Sequence, residues 1–480
     1  MHRRNSKKRE FIKRTVVYAV MSLAVVTIAT GLVLFMMGYR LNLDDRHLQQ
    51  GALVQFGSTP GRAMVFVDGK SIGVRTPGKS SILPGEHKFE MRRDGYETWS
   101  KTVNLNPGTL TWLNYALLVP EELEVEPVYT YNNFYDSLSS KNGREVLVQP
   151  NQAEPVFDIF DIRDDDPARN RVTLPEEDYV KLEGSSSQSF KLVAWDDSQR
   201  HVLIQHEYND KRDWIVLDTQ EPALSRNISL EFAINLQDVQ FAAPSGDVFY
   251  VLSNNNIRRV VLSEGTISRP VASNVSEFSM YGHDRLTYVS KNGDKDYVAG
   301  VYVEGNNSGS AVRSFAGVDS APKIVTTEYF NENYVAVVSG NSVEILSGSY
   351  PTSEDMTMNT FHVFDLGWSP DNVSFSPAGK YFVASSEDKY YSYNLEYQLD
   401  TEFTIEGGIG SINWLNENYL WNNISDSLTI REFDGDNAHT INSVVSKSDT
   451  AITQNGRYLY SVDKDVDDGY QLQRVRLILP

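Results

Sequence analysis

The sequence predicts a mainly β protein behind one N-terminal transmembrane helix, and three observations carry that prediction. Residues 15–39 contain no charge at all, residues 51–120 break into short alternating runs separated by turn dipeptides, and from residue 121 a strand-turn-strand unit recurs about every 45 residues. The chain has 480 residues, enough for two or three folded units. Its apolar fraction of 40% is that of compact domains rather than of disorder.

The helix comes first. Thr15 to Tyr39 reads TVVYAVMSLAVVTIATGLVLFMMGY, and 25 helical residues reach about 37 Å, more than the roughly 30 Å hydrocarbon core. A buried core helix keeps a polar stripe, which this segment lacks. A cleaved signal peptide has a shorter apolar stretch followed by a small-residue site. An uncleaved signal anchor therefore fits best.

Ahead of the anchor, residues 1–14 hold seven Lys or Arg against Glu10, a net +6. Such a flank stays in the cytoplasm. The expected topology is single-pass in the cell membrane, with residues 1–14 a cytoplasmic tail, 15–39 the anchor, 40–50 a linker and the C-terminus outside. The chain total is −20, so with Arg40 set aside, residues 41–480 carry −27. A surface that acidic repels phosphates, and nucleic acid is not an expected partner.

Residues 51–120 have the pattern of a small antiparallel sheet domain. Ala63 to Val67 alternates, Asp68-Gly69 supplies a two-residue turn, and Lys70 to Gly73 begins the return strand. His87 to Arg92 alternates again, Asp94-Gly95 turns the chain, and Tyr96 to Asn104 is extended. The set Ser58-Thr59-Pro60, Val65-Phe66-Val67-Asp68-Gly69, Thr76-Pro77, Leu83-Pro84-Gly85-Glu86-His87 and Arg93-Asp94-Gly95-Tyr96 resembles the PEGA domain, a small β-sandwich-like module of bacterial and archaeal surface proteins. The name-giving tetrapeptide is only half kept, as Pro60-Gly61-Arg62-Ala63. The resemblance implies an exposed structural or binding module without catalytic residues. Tyr96 and Trp99 are candidate binding residues for a sugar ring or polymer, against the competing reading that they pack in the core.

Residues 121–480 repeat an apolar run, a polar turn and a second apolar run. Val373 to Ala384, VSFSPAGKYFVA, is the clearest copy. Eight turns, at 143, 199, 246, 284, 332, 379, 417 and 456, lie 38 to 56 residues apart. That period is the length of a four-stranded propeller blade, a unit that buries both faces only against its neighbours. Phe375 to Ala384 resembles the strand-turn-strand unit of bacterial β-propellers. The expected fold is a β-propeller of eight blades, with seven blades the alternative and two stacked β-sandwiches third.

Chemistry is sparse. There is no Cys, which removes disulfides, thiolate metal sites and a Cys nucleophile. An exported, disulfide-free protein points to a bacterial exterior. No nucleophile elbow, paired metal-binding His or phosphate loop occurs. His201 and His206 are five apart on an expected strand and so face opposite sides. Asp463, Asp465 and Asp467 alternate like calcium ligands and are the candidate metal residues. The stretch has Asp468 where a calcium loop needs Gly and Arg474 where it needs a bidentate Glu, so a solvated hairpin tip competes. No catalytic residue and no other cofactor is expected. The function expected is extracytoplasmic binding or scaffolding toward an envelope polymer or surface protein, with a polymer hydrolase in the propeller channel as the alternative.

Overall fold

A computed structural model describes residues 4–36, 38–41, 48–182, 187–353, 356–406, 413–464 and 469–480. The chain divides into two compact units, Met1–Glu122 and Leu123–Pro480.

The first unit opens on a helix, Arg4–Met36. Its stretch Arg9–Leu34 is long and apolar enough to cross a membrane, and none of it is buried. Two of its hydroxyls are satisfied within the helix: Thr15 Oγ1 donates to Phe11 O at 3.0 Å and Thr27 Oγ1 to Leu23 O at 2.8 Å. A hydrocarbon environment demands that kind of internal pairing. From the last residue of the expected anchor into the linker, Tyr39–Leu41 pairs with Leu48–Gln50.

Two sheets follow. One places Ala52–Thr59 between Gly78–Ile82 and Leu110–Leu117; the other runs Lys70–Arg75, Met64–Val67, Gly85–Arg92, Trp99–Leu105. Asp68 and Gly69 turn the expected hairpin at φ 50° and 75°, which brings Val67 opposite Lys70. The Asp68 carboxylate then accepts from Lys88 N at 2.9 Å. One expectation is corrected. Ala52–Thr59 and Leu110–Leu117 pair in parallel, not antiparallel. The whole second sheet separates them in sequence, which gives the long crossover that a parallel pair needs. Thr76 explains the Ser-Thr-Pro and Thr-Pro motifs: it is buried, accepts from Ala63 N at 2.9 Å and bonds the Ser58 hydroxyl at 2.6 Å.

In the second unit the described residues form eight antiparallel sheets, here numbered in order. Sheets 1 to 7 span 136–173, 188–227, 238–273, 275–315, 323–365, 372–404 and 413–443. Sheet 8 is made of Ala451–Ile452, Tyr458–Lys464 and Tyr470–Arg476, and its fourth strand is Val125–Tyr131 from the start of the unit. Seven of the eight sequence turns lie between the first and second strands of one sheet, and the remaining one, at Glu332, opens the second strand of sheet 5.

Apolar alternation decides what these sheets do next. Both faces of their middle strands are buried, as in Val202, Leu203 and Ile204, so each sheet needs a neighbour on either side. Sheets 1 and 2 share Leu147, Phe157, Phe190 and Ile204, sheets 2 and 3 share Trp214, Val239 and Phe249, and the same holds from 3 through 6. Sheet 7 reaches sheet 8 through Asn442 Nδ2 to Ser461 Oγ at 2.9 Å and Gln473 Nε2 to Ser443 O at 2.9 Å. Sheet 8 in turn packs Tyr460, Val462 and Leu472 against Val146, Val148 and Phe160 of sheet 1. Sheets 6 and 7 meet through Val383 and Tyr390 with Trp414 and Ile424, so the packing order is cyclic.

Candidate functional site

First strands meet between sheets 1 and 2 and from sheet 3 through sheet 6, and last strands such as Ala168–Thr173 and Leu399–Thr404 are mostly exposed. The turns that follow the first strands share a local design. Ser140 Oγ accepts from Arg144 N and Glu145 N at 3.1 and 2.9 Å, Asp196 Oδ1 from Arg200 N and His201 N at 3.0 Å each, and Thr453 Oγ1 from Arg457 N and Tyr458 N at 3.1 and 3.0 Å. Ser376 Oγ accepts from Tyr381 N at 3.0 Å. Three residues after each of these oxygens the backbone is left-handed, at Gly143, Gln199, Gly379 and Gly456. At Gly379 a Cβ would stand 2.2 Å from Thr327 Oγ1, so the turn also fits tightly against the preceding sheet.

Beside the turns of sheets 1 to 4 lies a pocket of about 300 Å³. Val193 and Trp195 come from the first strand of sheet 2, Asp238, Gln240 and Phe241 from that of sheet 3, and Met280 from that of sheet 4. Gln240 acts as a strand surrogate: Nε2 donates to Phe278 O at 2.9 Å while Oε1 accepts from Met280 N at 2.8 Å. Burial raises the Asp238 carboxyl above its ordinary value, against the opposing hydrogen bonds from Gln240 and Val239 N. At the rim, Asp197 stands 3.3 Å from His283 Nε2 and 3.8 Å from Lys141 Nζ. Lys141 is largely exposed and Asp197 and His283 about half so, and this pairing therefore orients side chains more than it stabilises the fold. Also on the turns, Phe330 is 78% exposed with φ 50°, an unusual setting for an aromatic residue. The pocket thus offers apolar walls, an amide, a carboxyl of raised affinity for protons, and an ion-paired rim.

The residues singled out from sequence lie elsewhere. Tyr96 and Trp99 are 4% and 1% exposed; Trp99 meets Tyr115 edge-on at 6.1 Å, and Arg93 lies over the Tyr96 ring. Their rings are core surfaces rather than a platform facing solvent. Asp463 accepts from the Ser443 hydroxyl, while Asp465 and Asp467 fall outside the described residues. Arg474, at the position a calcium loop gives to Glu, pairs with Glu126 at 2.7 Å. Among the described residues no group of three His, Asp or Glu is placed to hold a metal. His201 and His206 do lie on one strand, His201–Tyr208, and point to opposite faces. The pocket residues carried no sequence signal, because they are spread over 140 positions and meet only through the packing of four sheets.

The PEGA family model matches residues 53–119. No curated protein matches. Among solved structures, the Dos1 propeller is 11% identical, covers 74% of this chain and 96% of its own, and has a TM-score of 0.46. The β-propeller domain of Myceliophteria thermophila Cps50 (Swd1) is 13% identical over 67% and 100%, with a TM-score of 0.41. An oligogalacturonate lyase in complex with manganese is 10% identical over 74% and 98%, at 0.42. The chain carries a PEGA domain and a β-propeller-like region behind one N-terminal apolar helix.

Proposed function

We propose that this protein is a membrane-anchored extracytoplasmic binding protein. Its N-terminus lies in the cytoplasm, its PEGA domain is a spacer, and its eight sheets are the blades of a propeller that contacts an envelope polymer or a partner protein. The observation that carries the reading is the pocket beside the turns of sheets 1 to 4, where Phe241 and Met280 give apolar walls and Asp238, Gln240 and the Asp197–His283 pair give polar contacts. Binding sites generally combine apolar walls with a few placed polar groups in this way. The exposed Phe330 adds an aromatic anchor on the same set of turns.

Cosedimentation of the purified full-length chain with isolated envelope polymer tests this. The expected result is retention that falls at least tenfold in Phe241→Ala and Asp238→Asn. Retention unchanged in both variants removes the pocket from the binding site. Proteolysis of a C-terminal tag on intact cells tests the topology, and protection after every outer layer is opened rules it out.

One observation favours a hydrolase as the second reading. Burial pushes the Asp136 carboxyl up to about 6, with Asp449 adding to the rise, and a general acid works in that range. Against it, Asp449 Oδ2 already accepts from Ser139 N at 2.7 Å and Oγ at 2.6 Å. Release of soluble fragments from the polymer, lost in Asp136→Asn, would turn the reading toward catalysis.

A further inference from the structure

Below its rim, the pocket beside the turns of sheets 1 to 4 offers hydrogen-bond acceptors and, among the described residues, no free side-chain donor. The polar side chains that line it there are Trp195, Asp238 and Gln240. Trp195 Nε1 already donates to Leu138 O at 3.2 Å. Gln240 Nε2 has two hydrogens, and they go to Phe278 O at 2.9 Å and Asp238 Oδ2 at 3.0 Å. Its Oε1 accepts one bond, from Met280 N at 2.8 Å, and a carbonyl oxygen can accept two. Asp238 Oδ1 accepts from Val239 N at 2.8 Å, so each carboxylate oxygen holds one hydrogen bond and has room for another. Alternation along Asp238–Phe241 puts Asp238 and Gln240 on one face of the strand, with Val239 in the core on the other.

The Asp238 carboxylate also lacks a cation of its own among the described residues. Arg212 is the positive charge that acts on it, the weakest of the influences favouring its ionised form, and Arg212 is paired with Glu207 at 3.3 Å. Lys141 and His283 at the mouth both face Asp197. A partly buried carboxylate without a counter-charge carries a desolvation cost, which is why its carboxyl sits above the ordinary value. A bound cation with N–H donors offsets that cost and fills the spare acceptor positions together. An ammonium does both, with three donors on one charge. Val193, Phe241 and Met280 supply apolar surface for the carbon that carries it, and about 300 Å³ is the low end of ligand pockets, room for one ring or one short chain. The net −27 of residues 41–480 raises the local concentration of cations.

We propose, resting on the reading of this pocket as the binding site, that it receives a primary amine of the envelope polymer as its ammonium, with Asp238 as counter-ion and Gln240 Oε1 as a second acceptor. Two experiments on the full-length chain in detergent test it. Calorimetric titration compares cyclohexylamine, cyclohexanol and cyclohexanecarboxylate at pH 7 and constant ionic strength. The amine should bind about tenfold tighter than either of the others, the worth of one hydrogen bond to a charged group, and Asp238→Asn should bring it down to the affinity of the alcohol. Cosedimentation, which needs no variant, compares untreated polymer with polymer whose amines have been acetylated, and acetylation should reduce retention about tenfold. Equal affinity for amine and alcohol, a preference for the carboxylate, silence of the amine, or full retention of acetylated polymer overturns the proposal. The pocket itself survives those results if Phe241→Ala still loses the untreated polymer. Failure of the wild type to retain untreated polymer sinks the binding reading and the amine with it.

Discussion

The seam between sheets 2 and 3 and the seam between sheets 6 and 7 solve the same problem with different means. The first is an apolar core in which Leu203, Trp214, Val239, Phe249 and Val260 are each nearly inaccessible. The second, among the described residues, has a smaller buried apolar cluster, Val383, Tyr390 and Ile405, with the buried Tyr381 and Phe433 beside it. Directional contacts supplement them: Trp414 Nε1 donates to Ser374 Oγ at 2.8 Å, Ser376 Oγ donates to Glu417 at 2.6 Å, and Tyr381 stacks on Phe433 at 3.7 Å. Apolar area is tolerant of small shifts, whereas hydrogen bonds fail once geometry is lost. One repeated architecture therefore contains seams that should respond differently to the same kind of change.

The largest expected effect is in the apolar seam. Phe249→Ala should cost about 3–5 kcal/mol, the range for deleting a buried aromatic ring, measured by denaturant unfolding. If Phe249→Ala proves milder than the polar-seam changes below, the contrast is wrong.

Next comes His206, which is fully buried in sheet 2 and stacked on Phe190 at 4.4 Å and Tyr208 at 4.7 Å. Both ring nitrogens lack hydrogen-bond partners, and burial lowers its pKa to about 4 from an ordinary 6.5. The unfolded chain binds this proton more tightly, so the stability tied to neutral His206 is full above pH 6.5. It is lost as pH falls toward 4, by roughly 3 kcal/mol in total. Asp136 and Asp178, both raised to about 6 by burial, work in the opposite sense, favouring the fold as they protonate. The comparison must therefore be wild type against His206→Phe across pH 4–7. The expected outcome is a variant whose melting temperature falls less on acidification, and parallel curves would refute the assignment.

In the polar seam, Glu417 accepts from the Ser376 hydroxyl, from Ala378 N, and from Lys380 N at 3.3 Å. Glu417→Gln should cost about 1–2 kcal/mol, since an amide is a weaker acceptor and presents a donor to donors. The smallest effect belongs to the pocket rim. Lys141→Ala should change stability by less than about 0.5 kcal/mol, and its measurable consequence, if the pocket binds a ligand, is on that binding.

How much of this was legible follows from which interactions are local. The turns at Gly143, Gly379 and Gly456 could be read because a left-handed residue beside a side-chain oxygen is a property of six consecutive positions. The apolar helix and the Asp68-Gly69 hairpin were readable for the same reason. Tyr96 and Trp99 illustrate the limit: an aromatic residue near a turn looks the same whether its ring is covered or not, and here both are covered. Arg431, buried in the third strand of sheet 7, was invisible as well, since an arginine alternating with Leu428 and Ile430 reads as a solvent-facing position. Asp238 and Met280 come together only because Gln240 bridges two sheets.

The strand Val125–Tyr131 has a consequence for timing. Glu126 meets Arg476 across 350 positions of sequence, as the outermost strand of sheet 8. During synthesis, the strand that is made first must wait for nearly the last one before it gains its partner. Until then sheet 8 lacks an edge strand, and Tyr458 and Leu472 lack the cover that Tyr131 supplies. For most of its biogenesis the unit is an open arc with two adhesive ends, exposed to pairing with another copy. Slowing the final stretch of synthesis should lengthen that interval and increase the yield of misjoined dimers.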